Sequence, residues 1–160
     1  MTDDDYRAVS LRLLDHCGMP WRADDSEDEF PAVKDHYRWD GSMLVVPSRL
    51  SASDILHELA HWLYASRRQR QCVEYGLGCN PGGVYASCWS AVPVLVTSKR
   101  AQYLEKRASA YGIAVERTLG FPLWEVTAME HNWEDRRLRQ MWQGRRYLGG
   151  APDCLKGFAS

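Results

Sequence analysis

The sequence lacks the features that mark membrane-spanning, secreted and nucleic-acid-binding proteins. No apolar run approaches the roughly 20 residues that a transmembrane helix needs. The first residues, Met-Thr-Asp-Asp-Asp, are acidic and contain no apolar core of a signal peptide. The net charge is −1, so bulk electrostatics attract the chain neither to nucleic acid nor to a membrane surface. We therefore expect a soluble cytoplasmic protein that binds no nucleic acid and no membrane.

Cys-x-x-Cys pairs are also missing. The cysteines are odd in number and lie at positions 17, 72, 79, 88 and 154. This pattern favours reduced thiols in a cytoplasmic protein over a disulfide framework. Three of these residues share the irregular stretch 71–97, where small buried thiols are a simpler explanation than a second metal site.

One stretch, His57-Glu58-Leu59-Ala60-His61, carries a pattern typical of metal enzymes. In a helix predicted over residues 53–68, positions 57 and 61 lie one turn apart on the same face. Two imidazoles so placed can bind one metal ion, and Glu58 can reach a water bound to that metal. The alternative is a helix with two surface histidines. Because the chain has only five histidines, a chance match is uncommon, and the metal interpretation is favoured.

Two histidines leave a metal ion under-coordinated, so the fold must supply a third ligand. The candidates downstream are Glu74, Glu105, Glu116, Glu130 and His131. Glu105 lies near the start of a helix predicted from residue 98 or 99 to 119, and it faces the same way as Ala101 and Ala108. Small residues on that face would let this helix approach the motif helix closely. By position alone, Glu105 could equally be an exposed surface charge.

Residues around the metal ligands are predicted less directly. A ligating imidazole normally passes its other N–H to a carboxylate or a carbonyl. Glu116, Glu130 or Asn132 could accept that hydrogen bond, although a surface or capping role is as common for each. Tyr75 and Tyr111 could polarise a substrate oxygen, but an ordinary packed tyrosine is the simpler interpretation.

The periodicity of apolar residues predicts an α+β domain. Residues 4–17 form an amphipathic helix that ends at Gly18. Residues 36–39 and 42–46 flank Asp40-Gly41, which indicates a β-hairpin. Ser51 or Ser53 caps the motif helix. Further elements are predicted at residues 92–97, as a short strand, and at residues 133–142, as a helix.

These elements together predict a zincin-like fold, in which a small β-hairpin or sheet packs on two long helices that share a metal site. A single metal-binding domain is expected over residues 1–145. The remaining residues, 146–160, contain Gly149-Gly150 and Pro152 and are expected to form a loosely held C-terminal tail.

A resemblance to the elongation factor P hydroxylase family rests on four segments, Leu56-His57-Glu58-Leu59-Ala60-His61-Trp62, Arg67-Arg68, Glu74-Tyr75-Gly76 and Pro81-Gly82. The resemblance implies that Glu105, which precedes Gly120-Phe121-Pro122, is the metal-binding glutamate. The chain is also similar to short phage-encoded proteins of unknown role, through the same helix and Asn132-Trp133. Departures at residues 77–79 and 83–97 prevent the substrate of the hydroxylases from being carried over.

Three functions fit His57, His61 and Glu105 as ligands. The first is a zinc hydrolase of an unknown protein or peptide substrate, in which Glu58 accepts a proton from zinc-activated water. The second is a non-haem Fe²⁺ hydroxylase of a protein side chain, as the resemblance implies. The third is a phage-type protein that binds and inhibits a host factor around a structural metal. The presence of Glu58 favours an enzyme, because a structural site does not need that carboxylate.

Overall fold

The computed structural model describes residues 2–24, 39–77, 94–121 and 153–158. Its regular elements are helix α1 (Asp3–Cys17), strand β1 (Trp21–Ala23), strand β2 (Leu44–Val46), helix α2 (Ala52–Tyr64) and helix α3 (Ser98–Thr118), with short 3-10 turns at Gln69–Gln71, Val73–Gly76 and Asp153–Leu155. The described region is therefore α+β, as predicted. None of the helices that it contains is long and apolar enough to cross a membrane.

Helix α1 is fixed at both ends by local chemistry. The Thr2 hydroxyl accepts from the backbone N–H of Asp5, and the Asp5 carboxylate accepts from the backbone N–H of Thr2. Gly18 ends the helix in the left-handed conformation, with φ 70°. Between these ends, Leu13 and Leu14 are fully buried. The predicted helix and its end at Gly18 are confirmed.

The two strands form a parallel pair, which the sequence did not predict. Trp21 pairs with Leu44 and Ala23 with Val46. The turn at Asp40-Gly41 is present, because the Asp40 carboxylate accepts from two backbone N–H groups within it, and a single antiparallel bridge joins Trp39 to Leu44. All three residues of β2 pair with β1. Residues 36–38 lie outside the described residues.

Helix α2 begins as predicted but ends one turn earlier. The Ser51 hydroxyl accepts from the backbone N–H of Asp54 at 3.1 Å, which selects Ser51 as the N-cap. The helix stops at Tyr64 instead of residue 68. The backbone N–H of Ser66 donates to the Gln69 side chain at 3.0 Å, and the backbone N–H of Gln69 donates to the Ser66 hydroxyl at 3.3 Å. These two bonds form a capping box that begins a new turn after α2 has ended.

Helices α2 and α3 pack closely, which positions the site. Ala101 and Ala108 are buried, as expected of a small-residue face. At Gly112, an added Cβ would meet the backbone nitrogen of His57 at 3.4 Å and the carbonyl carbon of Leu56 at 3.5 Å. The backbones therefore approach to within the width of one methyl group at this point. The side chains of both helices join a common core with Leu13, Leu44 and Val46.

Helix α3 matches its predicted bounds to within one residue. The Thr97 hydroxyl accepts from the backbone N–H of Arg100, and Gly120 follows the helix with φ 75°. The strand predicted at residues 92–97 is wrong over the described residues 94–97, which are neither helix nor strand. The helix predicted at residues 133–142 lies outside the described residues.

Part of the C-terminal tail packs against α1. Cys154 is buried, and its carbonyl oxygen lies 3.9 Å from the Cys17 thiol. The ring of His16 donates to the carbonyl of Lys156 and contacts Phe158 edge-on. The predicted division into a domain over residues 1–145 and a loosely held tail over residues 146–160 stays a prediction, since much of the tail lies outside the described residues.

The contact at Gly112 predicts a size threshold for substitution. Gly112→Ala places its methyl group at ordinary contact distance, so we expect helix propensity to raise the free energy of unfolding by roughly 0.5–1 kcal/mol. Gly112→Leu has no room beside the His57 backbone, and we expect a loss of roughly 1–3 kcal/mol from overpacking. Urea denaturation of both variants tests this, and equal stability of the leucine variant and the wild type would contradict the packing described.

Candidate metal centre

Three side chains converge between α2 and α3. The Nε2 atoms of His57 and His61 lie 2.9 Å apart, and the Oε2 atom of Glu105 lies 3.3 Å from the first and 3.2 Å from the second. In the part of the chain that the structure describes, these residues form a group that could hold a metal ion. The sequence predicted all three residues, and the structure brings them together.

The spacing of the three ligand atoms fits a first-row metal ion. Bonds of about 2.0–2.2 Å place ligand atoms about 3.3 Å apart at a tetrahedral angle and about 3.0 Å apart at a right angle. The observed separations of 2.9, 3.2 and 3.3 Å span these values. Two facing ring nitrogens at 2.9 Å need a proton or a cation between them, because facing lone pairs repel. The geometry therefore fits a cation at the centre of the triangle.

The electrostatics of the group favour a positive charge at this point. Burial of His61 favours its neutral ring, but the charge of Glu105 and the hydrogen bond to it prevail and raise the pKa of His61 to about 9. Burial would raise the pKa of Glu105, yet the charge of His61 and the close contacts of both rings with the carboxylate hold it well below its usual value. A metal ion must therefore displace a proton from His61 at neutral pH.

Glu58 lies beside this group but is not part of it. Its side chain is on α2, and the residue is only 7 % exposed. Its negative charge acts on His61 and on Tyr75, and it contributes to the raised pKa of both. Glu58 is thus a buried carboxylate whose charge acts on one candidate ligand. Its predicted reach to a metal-bound water stays a prediction.

A stack of two aromatic rings packs against the ring of His61. The Tyr75 ring stacks on His61 at 5.5 Å and on Trp39 at 5.2 Å between ring centroids. Its hydroxyl donates to the carbonyl of Glu58 at 3.2 Å, and burial raises the pKa of Tyr75 well above its usual value, so the phenol stays protonated. Tyr75 is therefore a packed tyrosine that connects the turn Val73–Gly76 to α2.

The backbone at Tyr75 adopts an unusual conformation. Glu74 and Tyr75 both have positive φ values, 47° and 54°, which are costly for residues with a side chain. Reciprocal hydrogen bonds hold this conformation: the backbone N–H of Trp39 donates to the Glu74 carboxylate, and the backbone N–H of Glu74 donates to the carbonyl of Trp39. Glu74, a candidate third ligand, thus stabilises the turn Val73–Gly76 through Trp39 and is not part of the three-residue group.

Among the residues that the structure describes, the remaining candidates do not join the ligand group. Glu116 is fully buried on α3 but lies outside the three-residue group. Tyr111 contacts Tyr64 edge-on, with ring centroids 5.4 Å apart. The candidates Glu130, His131 and Asn132 lie outside the described residues.

Ser109 also contacts the group, and the sequence did not predict this. Its hydroxyl lies 3.2 Å from Nδ1 of His57 and 3.2 Å from the carbonyl oxygen of Glu105. The available signal was its place one helical turn after Glu105, on the face that meets α2. Serine so often bonds the carbonyl four residues earlier that spacing alone does not reveal a second partner.

The chain matches no protein-family model, no curated protein and no solved structure. These comparisons therefore assign the chain to no family. The resemblance to the elongation factor P hydroxylase family and to phage-encoded proteins therefore rests on the motif residues alone and stays a hypothesis.

The raised pKa of His61 predicts how the stability of the metal-free protein depends on pH. His61 binds its proton more tightly when folded, so this stabilisation is complete below pH 6.5 and is lost as the pH rises through about 9. Allowing for solvent around the 41 % exposed Glu105 side chain, we expect a fall of about 2 kcal/mol. Urea denaturation of chelator-treated protein between pH 6 and 9.5 measures it.

Glu105→Gln is the matched control for this measurement, because it keeps the side-chain shape and removes the charge that raises the pKa of His61. The variant should lose most of the pH-dependent fall, while contributions from other groups, such as the cysteines, remain in both proteins. The same fall in both would show that Glu105 does not hold the proton on His61.

Proposed function

We propose that this protein is a zinc-dependent hydrolase of the zincin type that cleaves an amide bond in a protein or peptide. His57, His61 and Glu105 would hold the ion, and Glu58 would act as the general base. The observation that supports this proposal most strongly is the triangle of ligand atoms at 2.9–3.3 Å with the buried Glu58 carboxylate beside it. The α+β arrangement of helices and a small two-stranded sheet in the described region supports the proposal only at the level of fold class.

The residues divide the chemistry between them. Zn²⁺ at such a site lowers the pKa of a coordinated water towards neutrality and polarises a substrate carbonyl. Glu58 would accept the proton from that water and deliver it to the leaving amine. Burial of Glu58 limits the solvation of its carboxylate.

Solvent access to the site also suits an enzyme. The side chains of His57 and His61 are 16 % and 6 % exposed, whereas that of Glu105 is 41 % exposed. Water and substrate can thus approach from the Glu105 side, where a catalytic metal keeps a coordination position open. A structural site would instead be closed by a fourth protein ligand, and the described residues supply none.

A second candidate is an Fe²⁺-dependent hydroxylase. Two imidazoles and one carboxylate on one face of the ion are the donor set of non-haem iron oxygenases. The 2.9 Å separation of the two Nε2 atoms is close to the value of about 3.0 Å expected at a right angle, whereas the separations of 3.2 and 3.3 Å are close to the tetrahedral value. Glu58 favours the hydrolase, because an oxygenase has less use for a buried general base.

Metal content and the role of Glu58 test the proposal together. We expect one zinc ion per chain in protein purified without added metal, and cleavage of a mixture of synthetic peptides read by mass spectrometry. Glu58→Gln should retain the zinc and lose activity by roughly 10²–10⁴-fold. Glu74→Gln is the matched control, since an amide oxygen can still accept from Trp39, and it should keep activity.

Other outcomes assign other functions. Iron with O₂-dependent turnover would contradict the hydrolase and support the hydroxylase. Full activity in Glu58→Gln would exclude it as the general base. His61→Ala should lose the metal and lower stability under every version, and metal bound at wild-type affinity in that variant would contradict the proposed ligand set.

A further inference from the structure

Ser109 contacts two of the three candidate ligands at once. The residue is 7 % exposed and lies one turn after Glu105 on α3. Its hydroxyl is 3.2 Å from the carbonyl oxygen of Glu105 and 3.2 Å from Nδ1 of His57, the ring nitrogen that faces away from the ligand triangle. The Ser109 hydroxyl thus connects the His57 side chain on α2 to the backbone of Glu105 on α3.

The proton count at this hydroxyl fixes the direction of both hydrogen bonds. A serine hydroxyl has one hydrogen, and a backbone carbonyl can only accept. The Ser109 hydrogen is therefore donated to the carbonyl of Glu105. The oxygen of Ser109 is then left to accept, and the hydrogen of its contact with His57 must come from Nδ1.

We infer that Ser109 is a positioning residue that holds His57 in the tautomer protonated on Nδ1, so that the lone pair of Nε2 points to the metal position. The inference rests on the proposed function, because it concerns the ion that His57 would bind. Metal-ligating histidines commonly donate their second nitrogen to a neighbouring acceptor, which fixes both the ring orientation and the tautomer.

The identity of the acceptor also affects the charge of the site. A carboxylate at this position would add negative charge behind His57, whereas the Ser109 hydroxyl is neutral. The negative charges near the ion then come from Glu105, Glu58 and Glu74, each of which acts on His61. Ser109 therefore contributes orientation without further neutralising a bound cation, so that the cation keeps its power to polarise water.

Ser109→Ala tests the inference with little risk to folding, because alanine is the strongest helix former. We expect the zinc dissociation constant, measured by competition with a chelator, to rise by roughly 10–100-fold. In ¹⁵N spectra of the metal-free protein, the His57 ring should change from the Nδ1-protonated form to a mixture of tautomers. Ser109→Thr, which retains the hydroxyl, should restore both properties.

Ser10→Ala is a matched control. Ser10 is also buried in a helix and donates to the carbonyl four residues earlier, that of Tyr6, at 3.0 Å. It lies on α1, which contributes no ligand, so this variant should keep the zinc affinity and the His57 tautomer of the wild type. A loss of zinc affinity in Ser10→Ala equal to that in Ser109→Ala would reduce Ser109 to a general structural role and overturn the inference.

Two further outcomes separate the inference from the proposed function. If the wild type binds zinc and Ser109→Ala binds it equally well with an unchanged tautomer, the role of Ser109 is refuted and the metal site stands. If the wild type binds no zinc, the proposed function fails, and the ¹⁵N spectra still decide whether Ser109 sets the tautomer of His57.

Discussion

The close contact between α2 and α3 is the constraint on which the site depends. The two histidines come from one helix and can be set by its periodicity, but the carboxylate must come from another part of the chain. Gly112 lets the backbone of α3 approach that of His57 to methyl-group distance. This approach brings the Glu105 carboxylate to 3.3 Å from Nε2 of His57. It also brings the Ser109 hydroxyl to 3.2 Å from Nδ1 of the same ring. A looser helix pair would keep both histidines and lose the third donor.

The contact also concentrates charge where burial makes it costly. Three donor atoms lie within 3.3 Å of one another, and a proton on His61 balances the Glu105 carboxylate in the metal-free state. A divalent cation would replace that proton and bind all three donors at once. The surrounding residues support this exchange without adding ligands: the stack of Trp39 and Tyr75 orients His61, and Ser109 orients His57.

Local signals were enough to predict the described helices and the placement of His57 and His61 on one face, since capping residues and helical spacing act within a few residues of the chain. Spacing placed Glu105 with small residues on one face of α3 but left a surface charge equally open. The resemblance to the elongation factor P hydroxylase family is what singled Glu105 out. The pairing of β1 with β2 could not be predicted, because three-residue strands leave little pattern and parallel pairing depends on a contact across residues 24–43. The early end of α2 had a signal in Ser66-Arg67-Arg68-Gln69, a capping box. The second partner of Ser109 depends on tertiary packing that spacing does not encode.

The central claim is that one metal ion is bound by two imidazoles and one carboxylate, and that the cysteines take no part. X-ray absorption at the zinc edge, on protein loaded with one equivalent of zinc, measures this ligand set directly. The account predicts nitrogen and oxygen neighbours at about 2.0–2.1 Å, with the outer-shell scattering of two imidazole rings. A sulfur shell at about 2.3 Å, or the absence of imidazole scattering, would contradict it.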